Sequence, residues 1–245
     1  MNRTSITGLA CLLAVALTAC AGGGEPPAPS GSPASAPLEA LKEPANSMSV
    51  SPPLSPAPVS AEALAAYRAL LAGEPGALDR PPEGLELHQV TLPPAEELEY
   101  VLLDLDGDGG AELVVQMVAQ PHQFNAVFHY GDGELSCWQY DIMEMSCRDY
   151  PLGDGAMVRQ YDTGTGPNRY SNLYTVFRYL PDGETEECAS LAVHQDTQEG
   201  GTEVFTYLVD DAEVDQDTFA AEFEELVGSR LLSLEDWIPA TERPG

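Results

Sequence analysis

Between residues 85 and 209 apolar and polar positions follow one another in short runs, many alternating with a period of two, broken by glycine, proline and aspartate. Such spacing turns one side of an extended segment toward a core and the other toward solvent, the pattern of antiparallel strands. It predicts strands over 85–91, 98–103, 111–119, 124–130, 134–141, 144–149, 156–162, 171–180, 186–194 and 202–209. Gly131-Asp132-Gly133 and Pro181-Asp182-Gly183 predict tight hairpin turns, because glycine reaches the positive φ that a sharp reversal needs. At both ends of this region the period lengthens to that of a helix. Ser60 is placed to cap the first helix, Glu62 suits its positive end, Val59 can staple onto Leu64, and Leu64, Tyr67, Leu70 and Leu71 share a face before Gly73. Near the C-terminus Asp215 caps, Val214 staples onto Phe219, and Phe219, Phe223 and Leu226 share a face before Gly228. The expected class is mostly β (α+β): an antiparallel β-meander, twisted sheet or sandwich of hairpins with one N-terminal and one C-terminal helix. No internal repeat of the propeller kind is visible in the sequence.

The N-terminal end follows a different grammar. Arg3 precedes an apolar run from Leu9 to Leu17, then Leu17-Thr18-Ala19-Cys20. A positive start, an apolar core and small residues before a cut point make a secretory signal over 1–19, and the run is shorter than the roughly 20 apolar residues of a membrane-spanning helix. LTAC resembles the bacterial lipobox. The resemblance implies that Cys20 carries lipid and tethers the chain to the cell membrane, facing the extracellular side, each buried methylene adding about 0.8 kcal/mol of membrane affinity. Residues 20–58 are dominated by Pro, Ser, Ala and Gly, which bury too little apolar surface to offset chain entropy. They read as a disordered spacer, either for reach from the membrane or from drift under weak constraint. Residues 59–245 remain as one exported β-rich domain.

Charge narrows the partners. The formal net charge is −30 and the one lysine is Lys42 in the spacer, so nucleic acid would be repelled and cations or basic partners drawn in. Much of that charge also serves solubility. Of five cysteines, Cys11 leaves with the signal and Cys20 is lipidated, leaving Cys137, Cys147 and Cys188. Cys137 and Cys147, on strands expected to be adjacent, make a possible disulfide; three buried free thiols are the alternative.

The most specific chemistry lies in Asp104-Leu105-Asp106-Gly107-Asp108-Gly109-Gly110-Ala111-Glu112. Aspartates at alternate positions followed by glycine can wrap carboxylates around one hard cation, and calcium takes about six to eight oxygens. Asp104, Asp106, Asp108, the carbonyl of Gly110, and Glu112 are the candidate donors. Both flanks read as strands and the twelfth position is Val115, so this is no helix-loop-helix EF-hand. The DxDxDGxxE spacing resembles the calcium loops of FG-GAP repeats, and together with the lipobox, spacer and first helix it resembles a group of uncharacterised Gram-positive lipoproteins. The full pattern occurs once, which argues against an integrin-like propeller, and Glu112 stands where aspartate is more usual. The alternative is an acidic turn without metal, in which three close carboxylates repel one another.

No GxSxG elbow, HExxH helix or phosphate-cradling loop is present. His122, His129, Cys137 and Cys147 lack the spacing of a zinc set, and Thr163 to Asn168 reads as a mobile loop. Two functions therefore compete: a tethered binding module for a protein or glycan, using a face built from Tyr161, Tyr170, Tyr174 or Trp138, and a cell-envelope hydrolase using scattered carboxylates. A metal-free accessory lipoprotein is a third. Lipidation has a direct check. A fatty-acid label should enter the parent chain expressed in a Gram-positive host and be absent from Cys20→Ser; equal labelling of the two would remove the anchor.

Overall fold

The computed structural model describes residues 57–119, 124–142, 147–166, 168–242 and 244. The signal segment, Cys20 and the spacer up to residue 56 lie outside the described residues, as does His122. Two antiparallel sheets carry the fold. The first is ordered β11-β1-β2-β3-β4, with β1 Leu98–Leu103, β2 Glu112–Met117, β3 Phe124–Gly131, β4 Glu134–Ile142 and β11 Ile238–Pro239. The second is ordered β10-β9-β8-β7-β6-β5, with β5 Cys147–Pro151, β6 Met157–Gly166, β7 Arg169–Tyr179, β8 Thr185–Thr197, β9 Glu203–Val209 and β10 Ala212–Val214. Within each sheet, strands that are consecutive in sequence pair with one another, so the meander expected from the alternation is realised twice.

The helices form where their caps were read. Helix α1, Ala61–Leu71, starts with Ser60 Oγ accepting from the Ala63 amide at 3.0 Å. Helix α2, Gln216–Leu226, starts with Asp215 accepting from the Thr218 amide at 2.8 Å. Helix α1 buries Ala63, Tyr67, Leu70 and Leu71 against Leu98, Tyr100, Leu113, Val115, Phe128 and their neighbours on one face of the first sheet. Leu64 is only half-buried. The opposite face of that sheet presents Val101, Leu103, Val114 and Val127, which meet Met157, Phe177 and Tyr179 of the second sheet. Because strand neighbours point to opposite faces, Tyr174 lies on the far side of β7 from Phe177, and there its ring meets Phe223 edge-on at 5.2 Å. Tyr207 of β9 meets Phe219 at 5.3 Å. The layers are helix, sheet, sheet, helix.

Several sequence expectations change. Residues 85–91 are not a strand: Leu87–Gln89 forms a single 3₁₀ turn, with Gln89 Oε1 accepting from the Glu86 amide at 2.7 Å. A local side-chain bond has closed the turn, and among the described residues the segment pairs with no sheet edge. Residues 163–166 and 169–170 extend β6 and β7 as a paired ladder, so the expected loop shrinks to the hairpin tip. Cys137 and Cys147 are free thiols on strands of different sheets; consecutive strands are adjacent only when they share a sheet, and here the chain crosses between sheets. Tyr174, expected on an exposed face, is 2 % exposed under α2.

Each sheet also carries a bulge. Val127 and Phe128 face Gln139 and Cys137, leaving Trp138 as the extra residue on β4. Val176 and Phe177 face Ala189 and Glu187, leaving Cys188 extra on β8. The first bulge matters most, because it lets the neighbouring Trp138 and Gln139 both address the second sheet.

One close approach joins the sheets at the end where β1 runs into β2. At Gly155, φ +83°, an added Cβ would sit 2.0 Å from the carbonyl oxygen of Asp104. Gly155→Ala should therefore cost at least about 1–3 kcal/mol in urea unfolding. Gly200→Ala, at a positive φ in open space, should cost less; equal losses would show that backbone strain and not contact governs Gly155.

Candidate metal centre at the Asp104–Glu112 hairpin

Leu103 pairs with Glu112, so residues 104–111 close a hairpin between β1 and β2. Its shape comes from local bonds. Asp104 accepts from the Gly107 amide at 2.7 Å and the Gly109 amide at 3.1 Å, Asp106 from the Asp108 amide at 3.0 Å, and Asp108 from the Gly110 amide at 2.5 Å. Gly107 and Gly109 hold φ of +76° and +89°, which aspartate or alanine would adopt only under strain. Leu105 is fully buried in the core between the sheets and anchors the loop. Tyr67 of α1 braces the far end, its hydroxyl donating to the Ala111 carbonyl at 2.8 Å.

Two overlapping groups of donors result. In the first, ligand atoms of Asp104, Asp106 and Asp108 lie within 4.8 Å of one another; in the second, those of Asp106, Glu112 and His129 do. Either group can hold a metal ion. The carboxylates predicted from spacing thus converge, but Glu112 turns inward. It is 1 % exposed, accepts from the Leu105 amide at 2.7 Å through Oε2, and contacts His129 Nδ1 at 3.0 Å through Oε1. His129, on β3, was not assigned to this site from sequence. The available signal was parity: Val127 and His129 share the face of β3 that Glu112 and Val114 share on β2.

The imidazole is locked in place. Its ring stacks on Trp138 at 4.3 Å with 10° between planes, and Trp138 stacks in turn on Tyr179 at 5.2 Å. Burial raises the Glu112 carboxyl above its ordinary value although His129 and the Leu105 amide pull the other way. Burial also raises Asp106, with the charges of Asp108 and Asp104 adding to it although the Asp108 amide and His129 pull the other way. Burial opposes the charged form of His129, yet Glu112, Asp106 and Asp108 outweigh it and hold the imidazole above its usual value. Burial and the mutual repulsion of the carboxylates thus push the acids up, and the imidazole beside them is the group that offsets it. Asp106 Oδ2 is closed off from solvent and has no hydrogen-bond partner among the described residues.

A second feature lies between the sheets. A cleft of about 790 Å³ is lined by Trp138, Asp141, Arg159, Thr175, Tyr179 and Glu187 among others. Beneath it Asp149, its side chain fully enclosed, receives Arg159 through two bonds of 2.8 and 2.6 Å and Gln139 at 2.8 Å. Gln139 also donates to Asp141 at 2.8 Å and accepts from Tyr179 at 2.6 Å. Burial, and then the charge of Asp149, raise the Asp141 carboxyl.

Comparison with protein-family models, with curated proteins and with solved structures finds no match.

The raised Asp106 carboxyl has a thermodynamic consequence. A carboxyl whose folded value lies above its unfolded value favours folding when protonated, and that advantage is lost as pH rises through the folded value. In chelator at neutral pH, Asp106→Asn should raise the urea midpoint, and the two proteins should converge well below the ordinary aspartate pKa of about 3.9. A lower midpoint for Asp106→Asn in chelator would contradict this account of the cluster.

Proposed function

We propose that this chain is a lipid-anchored exported binding protein whose sandwich is pinned by calcium at the Asp104–Glu112 hairpin. The observation that carries the metal part is the convergence of Asp104, Asp106 and Asp108 on a loop already shaped by its own amide bonds. Those bonds hold the oxygens on the loop's inner side, so binding an ion requires little further ordering. Calcium fits an oxygen-only set of this kind, the Gly110 carbonyl being a further chain donor and water the rest. The role assigned to the ion is stability through mass action, since it binds the folded loop and not the unfolded chain.

The address rests on Cys20 and the preceding apolar run. Among the described residues no helix is long and apolar enough to cross a membrane, and a lipid on Cys20 is the anchor this reading assigns. The binding part rests on the cleft between the sheets. Its walls mix amide, hydroxyl, carboxylate and guanidinium groups, and a protein segment or a glycan presents the matching donors and acceptors. Hydrolysis is the weaker reading. Asp141 and Asp149 approach through Gln139, but Asp149 has no exposed side-chain surface and both its oxygens face Arg159. A carboxylate so enclosed holds neighbours in place and has no route to a substrate.

Thermal unfolding of the purified protein tests the calcium reading. Calcium at a hundred times its dissociation constant should stabilise the parent by about 2.7 kcal/mol and leave Asp108→Ala unmoved. Identical melting curves for the parent in calcium and in chelator would remove calcium from the proposal.

A further inference from the structure

We infer that Asp106, Glu112 and His129 form a second cation position, distinct in chemistry from the aspartate loop, that takes a first-row transition dication of the zinc class. It deepens the calcium reading, resting on the same hairpin and sharing Asp106 with it. Three observations converge. The donor set mixes one imidazole with two carboxylates, and their ligand atoms lie within 4.8 Å of one another. Hard cations such as calcium take oxygen donors, whereas imidazole suits zinc, copper and nickel. Asp106 Oδ2, sealed from water and without a hydrogen-bond partner among the described residues, is a carboxylate oxygen left over by the loop's own bonding. A bare acidic turn offers no reason to enclose it.

The geometry fits such an ion. Donors about 2.0–2.2 Å from a tetrahedral zinc stand roughly 3.3–3.5 Å from each other. His129 Nδ1 and Glu112 Oε1 are already 3.0 Å apart, and a bound ion would replace the proton they share, with Asp106 closing in from within 4.8 Å. The surroundings supply what ligands of a transition metal need behind them. The second oxygen of Glu112 is held by the Leu105 amide, and the imidazole plane is set by Trp138. Glu112 and His129 are respectively 2 % and 16 % exposed at the side chain, while Asp104 and Asp106 are half-buried and Asp108 is exposed. The hairpin would then sort cations by donor type: an oxygen-only position from Asp104, Asp106 and Asp108, and a nitrogen-containing one beneath it.

Zn²⁺ and Ca²⁺ binding to the purified full chain, each measured separately by equilibrium dialysis, tests this. The parent should take up one Zn²⁺, and its tryptophan emission should change because Trp138 stacks on a ligand. His129→Gln, which keeps a donor for Glu112, should weaken Zn²⁺ by more than about 100-fold, exceeding the cost of losing an outer partner, and leave Ca²⁺ binding intact. Asp108→Asn should do the reverse. Failure of Ca²⁺ binding throughout, with the Zn²⁺ pattern preserved, would overturn the calcium reading and support this one. No Zn²⁺ on the parent, or equal Zn²⁺ affinity in His129→Gln, would overturn it. Should His129→Gln not fold, the ¹⁵N resonance of His129 Nδ1 in the parent decides: a shift on adding Zn²⁺ supports ligation, and an unmoved resonance overturns it.

Discussion

A carboxylate buried where the β1–β2 hairpin meets its sheet sets the terms for the surrounding structure. Removing an ionised Glu112 from water carries a desolvation penalty of several kcal/mol unless its oxygens are occupied. The fold occupies them twice, with the Leu105 amide and the His129 imidazole. The first bond requires the loop to turn Leu105 inward, and that residue then fills the core between the sheets. The second requires β3 to lie beside β2 in a register that puts His129 on the same face. Loop, core and pairing are thus parts of one solution to a single charge.

The same logic spreads outward through aromatic packing. His129 needs a fixed plane, and the bulge on β4 delivers Trp138 to that plane while Gln139 reaches toward the second sheet. Without the extra residue, strand alternation would send one of these two side chains to the α1 side. Trp138 then rests on Tyr179, and Gly183 leaves room for the indole, since a Cβ there would come within 2.6 Å of the ring. Polar contacts join the sheets beyond the aromatic stack through Gln139, Asp149, Arg159 and Tyr179. A buried network of this kind favours one packing only when every member is bonded, and Asp149 satisfies that by taking Arg159 through both oxygens. The cleft opens where these polar groups replace apolar contact.

Charge is distributed with the same economy. The net charge of −30 is held mostly on solvent-facing positions, and the described arginines are committed to local partners. Arg178 and Arg230 both bond Asp154, which steadies the β5–β6 turn that packs Gly155 against Asp104. That turn therefore braces the acidic hairpin from the side of the second sheet.

Local chemistry determined what the amino-acid order could reveal. Caps at Ser60 and Asp215, the two-residue turn at Asp132-Gly133, the strand alternation and the DxDxDG bend each depend on contacts within a few residues, so they were legible without a fold. The antiparallel β class and the three converging aspartates followed from them. What tertiary structure decided was everything that depends on which strands become neighbours. Whether Cys137 and Cys147 meet turns on the split into two sheets, whether Tyr174 faces water on the packing of α2, whether His129 joins Glu112 on the register of β3 against β2, and whether Trp138 reaches His129 on a single extra residue in β4. A one-residue bulge reverses the facing of the strand beyond it, and alternation read along the chain has no means of locating the position at which that reversal occurs.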